Sequence, residues 1–291
     1  MTASESTSHN GETSDEQRPE FINVRILRQD GPGQPSYWER HQVDYEENMN
    51  IISVLQRIAA NARNVEGETV APVAWDCGCL EEVCGSCTMV INGKVRQSCT
   101  ALVDRLIEDH GNDIELQPMS KFPVVRDLMV DRSRLFSGLK RVQAWIPVDS
   151  YHDMGPGPKQ SRNSQEVSYP LSQCMSCGCC LEACPQYQKI ELYRRPGETD
   201  EQFEQRKEEA YDSSFMGAAP ISQAVLFNSH PTGKNMADER MEELTGTGGI
   251  QVCGNAQNCV AVCPKEIPLT TSIGKAGRAA TVHTLKKIFD K

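Results

Sequence analysis

Eleven of the thirteen cysteines stand in three groups whose spacings suit metal clusters. The groups are Cys79-x4-Cys84-x2-Cys87-x11-Cys99, then Cys174-x2-Cys177-x2-Cys180-x3-Cys184-Pro185, then Cys253-x5-Cys259-x3-Cys263-Pro264. The first has the spacing of plant-type 2Fe–2S ligation, and the second is the bacterial ferredoxin run. Soft, anionic thiolates are the ligands such clusters take. Structural zinc, the competing use, normally takes its four ligands from two paired groups, and four consecutive ligands at x2, x2, x3 before a proline fit it poorly. Three redox centres in one chain imply a conductor of electrons.

In two-cluster bacterial ferredoxins the run C-x2-C-x2-C-x3-C-P gives three ligands to one cluster and its fourth to the other. That exchange assigns Cys174, Cys177, Cys180 and Cys263 to one centre and Cys184, Cys253 and Cys259 to the next. Aligned on the second run, the third has the same frame with Ala256 where the middle cysteine belongs. A methyl group cannot hold a corner iron, so the expected third centre is 3Fe–4S. A labile fourth iron held by water or hydroxide is the alternative. Cys77 and Cys179 fall outside both frames and are expected to be small buried side chains. Gly78, Gly85, Ser86, Gly178 and Gly254 flank the ligands, where small residues let backbone N–H groups approach sulfur and raise the potential. Glu81 and Glu82 should lower it.

The elements that position these groups can be read in turn. Ile22, Val24 and Ile26 alternate with polar residues as a strand, Asp30 to Gly33 turns, and Tyr37 to Tyr45 reads as a second strand. A helix follows, capped by Asn48, with Ile51, Leu55 and Ile58 on one face. Asn92-Gly93 between two apolar stretches marks a hairpin. Counting back from its turn sets Ile91 against Lys94 and Cys87 against Ser98, so Cys99 comes beside Cys87 and pairing closes the long x11 gap. Phe122 to Pro147 reads as a bridge with a helix ending near Trp145, and Asp153 to Tyr169 as an exposed connector. Thr199 to Tyr211 reads as a charged surface helix with a Thr199–Gln202 capping box. Thr245 to Gly249 is read as a plain turn, because it lacks the lysine of a phosphate loop.

The predicted class is α+β: a flexible tail over 1–19, a β-grasp plant-type ferredoxin domain over 20–120, and an α-helical bacterial-type ferredoxin domain over 121–291. Net charge is −10 over 291 residues, which argues against a nucleic-acid partner. No apolar run of membrane-spanning length and no secretory signal are visible. Thirteen cysteines without such a signal point to a reducing compartment. The six histidines are scattered, and no nucleophilic triad pattern accompanies them, so no catalytic residue is assigned.

With these motifs the chain resembles the iron–sulfur subunit of succinate dehydrogenase and fumarate reductase. The resemblance is carried by Cys79-Leu-Glu-Glu-Val-Cys84-Gly-Ser-Cys87, by Cys174-Met-Ser-Cys177-Gly-Cys-Cys180-Leu-Glu-Ala-Cys184-Pro185 and by Cys259-Val-Ala-Val-Cys263-Pro264-Lys265. Phe122-Pro-Val-Val-Arg-Asp-Leu128 and Ile267-Pro-Leu-Thr-Thr-Ser-Ile273 extend it. It implies a flavoprotein partner carrying covalent FAD and a membrane-anchor cytochrome b where quinone reacts. Electrons would run from FAD through the Cys79, Cys174 and Cys184 groups in turn. The motif wording is most similar to the branch with a single dihaem anchor, which usually uses menaquinone. The implied place is the cytoplasmic face of the inner membrane, peripheral and held by the anchor.

This chain departs from that pattern at three places. Leu80 stands where an arginine is usual, Gln186 to Lys189 replace a serine and paired tryptophans, and Gly254 replaces a histidine, so the ubiquinone pocket of mitochondrial-type relatives does not carry over. Work in the reverse direction, as quinol:fumarate reductase, is the main alternative. A soluble heterodisulfide-type reductase subunit and a free-standing multicluster ferredoxin are the others. The complete N-terminal half argues against the reductase, and co-purification with a flavoprotein would argue against the carrier.

Overall fold

The computed structural model describes residues 18–147 and 158–289, so most of the expected N-terminal tail, and the first part of the expected connector, lie outside the described residues. The N-terminal half contains strands β1 (Phe21–Arg28) and β2 (Tyr37–Asp44), helix α1 (Ile51–Ala60) and strands β3 (Thr88–Ile91) and β4 (Lys94–Gln97). Helix α2 (Val103–His110) and strand β5 (Asp113–Gln117) complete it. The five strands form one mixed sheet in the order β2-β1-β5-β3-β4, with β1 and β5 parallel and every other pair antiparallel. The parallel pair brings the end of this half back to its first strand. Alternation on β1 sends Ile22, Val24 and Ile26 inward, where they meet Ile51, Val54, Leu55 and Ile58 of α1 and Ile114 and Leu116 of β5. Each of these fully buried aliphatic side chains contributes roughly 1.5–3 kcal/mol.

Two short strands, β6 (Val124–Arg126) and β7 (Met129–Val130), make a small hairpin beyond the sheet. Asp127 at its tip is fully buried and accepts from Arg28 Nε and Nη2 at 3.0 and 3.1 Å and from the backbone N–H of Ala74 at 2.9 Å. Arg28 also donates to Glu39 and to the carbonyls of Ala71 and Pro72. Burial by itself would push the Arg28 guanidinium down, and its hydrogen bonds to Asp127 and Glu39 outweigh that and hold it raised. The network moors the segment that leads into the first cysteine loop.

The C-terminal half is helical: α3 (Ser133–Arg141), α4 (Arg162–Ser172), α5 (Cys179–Glu182), α6 (Asp200–Asp212), α7 (Ala218–Ser229), α8 (Ala237–Thr245), α9 (Asn258–Ala261) and α10 (Leu269–Phe289). Helix α7 is apolar on nearly all faces, as a central helix must be, and α3, α4, α5, α8 and α10 pack around it. Arg240 of α8 is fully buried and donates to four main-chain carbonyls and to Asn228 Oδ1, which ties α8 to the end of α3. Among the described residues no helix is long and apolar enough to cross a membrane.

Three expectations need correction. The cap of α1 is Asn50, whose side chain accepts from the Ser53 N–H at 2.9 Å, while Asn48 adopts φ +64° and donates its N–H to Asp104. Residues 162–169 of the expected connector belong to α4, which Ser161 caps. The glycines and prolines that mark the connector are confined to residues 155–158, before the helix begins. The stretch after Phe122 forms the β6–β7 hairpin before its helix begins. The Thr245–Gly249 segment is the expected turn and also a docking point: Gly248 sits at φ +69°, its carbonyl accepts from the Met216 N–H at 3.0 Å, and a Cβ there would lie 2.0 Å from the Ser214 carbonyl.

Candidate functional site

The first cysteine loop runs from Cys77 to Cys87 without regular structure, and Leu80, Glu82 and Gly85 take positive φ. That winding turns the N–H groups of Glu81, Val83 and Cys84 onto Cys79 Sγ at 3.4, 3.2 and 3.3 Å. The N–H groups of Cys79 and Ser86 point at Cys84 Sγ at 3.4 and 3.5 Å. Hydrogen bonding from Ser86, then from the Cys79 N–H, brings the Cys84 thiol down to about 6. Such a nest is built for thiolates, since each N–H favours the charged form. Cys87 and Cys99 lie deeper, packed with Ile52 and Trp75, and burial pushes the Cys99 thiol up to about 11. The hairpin register is the expected one: Ile91 pairs with Lys94, and the Ser98 N–H donates to the Cys87 carbonyl at 3.2 Å. Cys77 is exposed, contrary to its expected burial, because its residue precedes the point where the loop turns inward.

Cys174, Cys177, Cys180 and Cys263 line one pocket, together with apolar residues such as Ala219, Ile267 and Leu269. Burial pushes the Cys180 thiol well up and raises Cys174. Cys177 moves the other way, to about 7, because the Cys179 thiol donates to it. Cys179 is fully buried, as expected for a residue outside the ligand frame. Cys184, Cys253 and Cys259 line a second pocket, together with Ala256 and Phe215. The structure therefore places Cys263 with the earlier run and Cys184 with the later one. Gln186 fills the space beside Gly254: a Cβ on that glycine would lie 2.7 Å from Gln186 Nε2.

The donor sets fit iron–sulfur clusters. Soft thiols line both pockets, the Cys174 one otherwise nearly apolar and the Cys184 one edged by amide side chains, and backbone N–H groups face sulfur in the first loop. Among the described residues no group of three or more His, Cys, Asp or Glu side chains converges on a single metal ion. Two residues near the cysteines carried no motif. Arg132 donates to the carbonyls of Gly85 and Ser86, and Gln97 donates to Cys179 Sγ at 3.3 Å. Neither has a sequence signal, since both act across a contact between distant segments.

Two family models match: a 2Fe-2S iron–sulfur cluster binding domain over residues 23–137 and a 4Fe-4S dicluster domain over residues 170–267. The chain is 48% identical over 268 residues to the succinate dehydrogenase iron–sulfur subunit of Bacillus subtilis, covering 92% of this chain and 96% of that protein. It is 27% identical over 259 residues to the fumarate reductase iron–sulfur subunit of Wolinella succinogenes, covering 87% and 94%. Among solved structures, a chain of the Mycobacterium smegmatis Sdh1 complex in its apo form superposes with a TM-score of 0.64 at 19% identity, over 89% of this chain and 95% of that one. That likeness supports the two-part fold.

Proposed function

The chain belongs to the family of succinate dehydrogenase iron–sulfur subunits, and from that premise we propose which of its residues hold which centre and what it joins. It is the electron-transfer subunit of an oxidoreductase, with a 2Fe–2S and a 4Fe–4S domain. Cys79, Cys84, Cys87 and Cys99 hold the 2Fe–2S centre, and Cys174, Cys177, Cys180 and Cys263 the 4Fe–4S centre. Cys184, Cys253 and Cys259 hold a 3Fe–4S centre, with the division between the two domains near residue 120. The partners are a flavoprotein subunit bearing FAD and a dihaem membrane-anchor cytochrome b at which quinone is reduced. The subunit sits on the cytoplasmic face of the membrane without entering it.

When bound, the clusters supply one-electron sites that divide the two-electron oxidation of succinate into single steps. The chain's own residues do the rest. The turned N–H groups of the first loop stabilise thiolate charge on Cys79 and Cys84. Ala219, Ile267 and Leu269 exclude water from the second group, and a drier surrounding disfavours added negative charge. Ala256 offers only a methyl group to the third.

One observation carries this reading: Cys184, Cys253 and Cys259 line one cavity with Ala256, while Cys263 turns to the other. Electron paramagnetic resonance of the purified complex tests it. An oxidised-state 3Fe–4S signal, with two further centres appearing on reduction by succinate or dithionite, is the expected outcome. A single centre per chain would refute it.

A further inference from the structure

Arg132 lies where the first and second cysteine loops meet. It is half-buried at the start of α3, and its Nη1 donates to the Gly85 carbonyl at 2.6 Å and its Nη2 to the Ser86 carbonyl at 3.0 Å. The same Nη1 reaches the Cys177 carbonyl at 3.5 Å. Gly85 and Ser86 stand between Cys84 and Cys87, whereas Cys177 belongs to the other run. The loops are in direct contact at this point. Gly85 takes φ +71°, and a Cβ there would lie 2.7 Å from Cys177 Cα, a backbone atom that cannot swing aside.

A second link runs beside the first. Gln97, 1% exposed, donates from Nε2 to Cys179 Sγ at 3.3 Å while its Oε1 accepts from Thr88 Oγ1 at 3.0 Å. Two other contacts join the halves nearby: the N–H groups of Ser120 and Lys121 donate to Glu182 of α5 at 2.8 and 2.9 Å. These reach Glu182 inside the second cysteine run but make no contact with the first loop. Arg132 differs from them because it grips both loops. It also differs from buried Arg28, which Asp127 and Glu39 neutralise. Among the described residues every hydrogen bond of Arg132 goes to a main-chain carbonyl, so its charge is not spent on a carboxylate.

We propose that Arg132 is a positioning residue: its two-armed guanidinium holds the first cysteine loop on the second and so sets the spacing and electrostatic coupling of the two centres they carry. This rests on the assignment of centres to those two groups given above. The planar fork suits the role, because it reaches carbonyls on both loops at fixed geometry, whereas a lysine ammonium is a single flexible point donor. A cation at the seam favours the more reduced, more anionic state of both centres, since net charge is one of the factors that set cluster potential.

The test uses the intact complex carrying Arg132→Met or Arg132→Lys, beside the parent. Iron content and spin quantification give cluster occupancy, redox titration gives midpoint potentials, and power saturation of the first centre's signal reports its magnetic coupling to the reduced second centre. Arg132→Met should keep both centres, lower both potentials and weaken the coupling. Arg132→Lys should keep the potentials near the parent's while the coupling still weakens. Full occupancy with unchanged potentials and coupling in Arg132→Met overturns the proposal. If Arg132→Met fails to load its clusters, a loaded Arg132→Lys with parental coupling overturns it. Failure of both variants to load overturns it too, because the residue would then build the loops instead of holding two built loops together. A parent complex lacking either of the first two centres would instead sink the assignment on which the inference rests.

Discussion

Asp127→Asn is the sharpest probe of what moors the first cysteine loop. Asp127 is fully buried and takes four contacts: Arg28 Nε, Arg28 Nη2 and the Ala74 N–H at 2.9–3.1 Å, and the Gln29 N–H at 3.3 Å. Asparagine keeps the shape and one acceptor, but it turns an amide N–H₂ toward donors and leaves the Arg28 guanidinium with only Glu39 for neutralisation. Breaking a buried ion pair from one side costs about 3–5 kcal/mol. The surviving Glu39 contact and one surviving acceptor place Asp127→Asn near about 3 kcal/mol on that scale. Asp127 also sits at φ +47°, a region asparagine tolerates and alanine does not, so Asp127→Ala should lose about 1–2 kcal/mol more. Because Ala74 is anchored by the same carboxylate, the loss should fall first on the segment entering Cys77. Urea titration followed through the visible absorbance of the 2Fe–2S centre, with the other centres read separately by spin quantification, measures both effects. A midpoint for the first centre that moves no further than those of the others would refute the mooring argument, and a loss under about 1 kcal/mol would show that Arg28 needs no second carboxylate.

Ala256→Cys should supply the missing corner ligand and abolish the oxidised-state 3Fe–4S signal, with the iron content of the complex rising. Gly217→Ala should destabilise the helical half by about 2–4 kcal/mol, the sum of left-handed strain and overpacking, because Gly217 has φ +88° and its Cβ would meet Leu181 Cδ2 at 2.1 Å; thermal unfolding of the variant checks this. Hydrogen bonding to Arg206 holds the Glu198 carboxyl down at about 2, against an ordinary 4.5. A depressed carboxylate stabilises above its unfolded value and loses that contribution as pH falls through the folded one, so Glu198→Gln should flatten the acid-unfolding curve between those limits.

Elements with strong local rules were legible. Asn92-Gly93 dictated its turn and therefore the register that brings Cys99 to Cys87. Thr199 and Gln202 form the expected capping box. The gap at Ala256 could be read because the second run supplied a ruler for the third. Elements that depend on tertiary context were not. Strand β5 is short and carries Asp113 and Glu115, and its pairing between β1 and β3 is what makes it a strand. Asn48 and Asn50 are equivalent as caps by composition, and the choice falls to Asn50 because its Nδ2 also reaches the Cys99 carbonyl at 2.9 Å. Cys77 and Cys179 both fall outside the ligand frames, yet one is exposed and the other fully buried, a difference that depends on where each loop turns. Arg132 and Gln97 act across the seam and have no spacing rule at all.

The crossing of Cys184 and Cys263 explains why the helical half has so apolar a centre. Each cysteine closes its own run yet lines the cavity of the other, so neither thiol set is complete until α5, packed on α7, and α9, packed on α10, lie together. Those helices are four residues each, far too short to hold their shape alone. Their order must come from α7 and α10 beneath them, through Leu181, Ile221 and Ala224, which are fully buried. Ligand bonds add to this, since binding free energy at a site absent from the unfolded chain is folding free energy. The apolar core and the thiol sets therefore depend on each other. The sheet half differs: Ile22, Leu55 and Leu116 are buried without any cysteine, and its cysteine loop hangs from a core already formed.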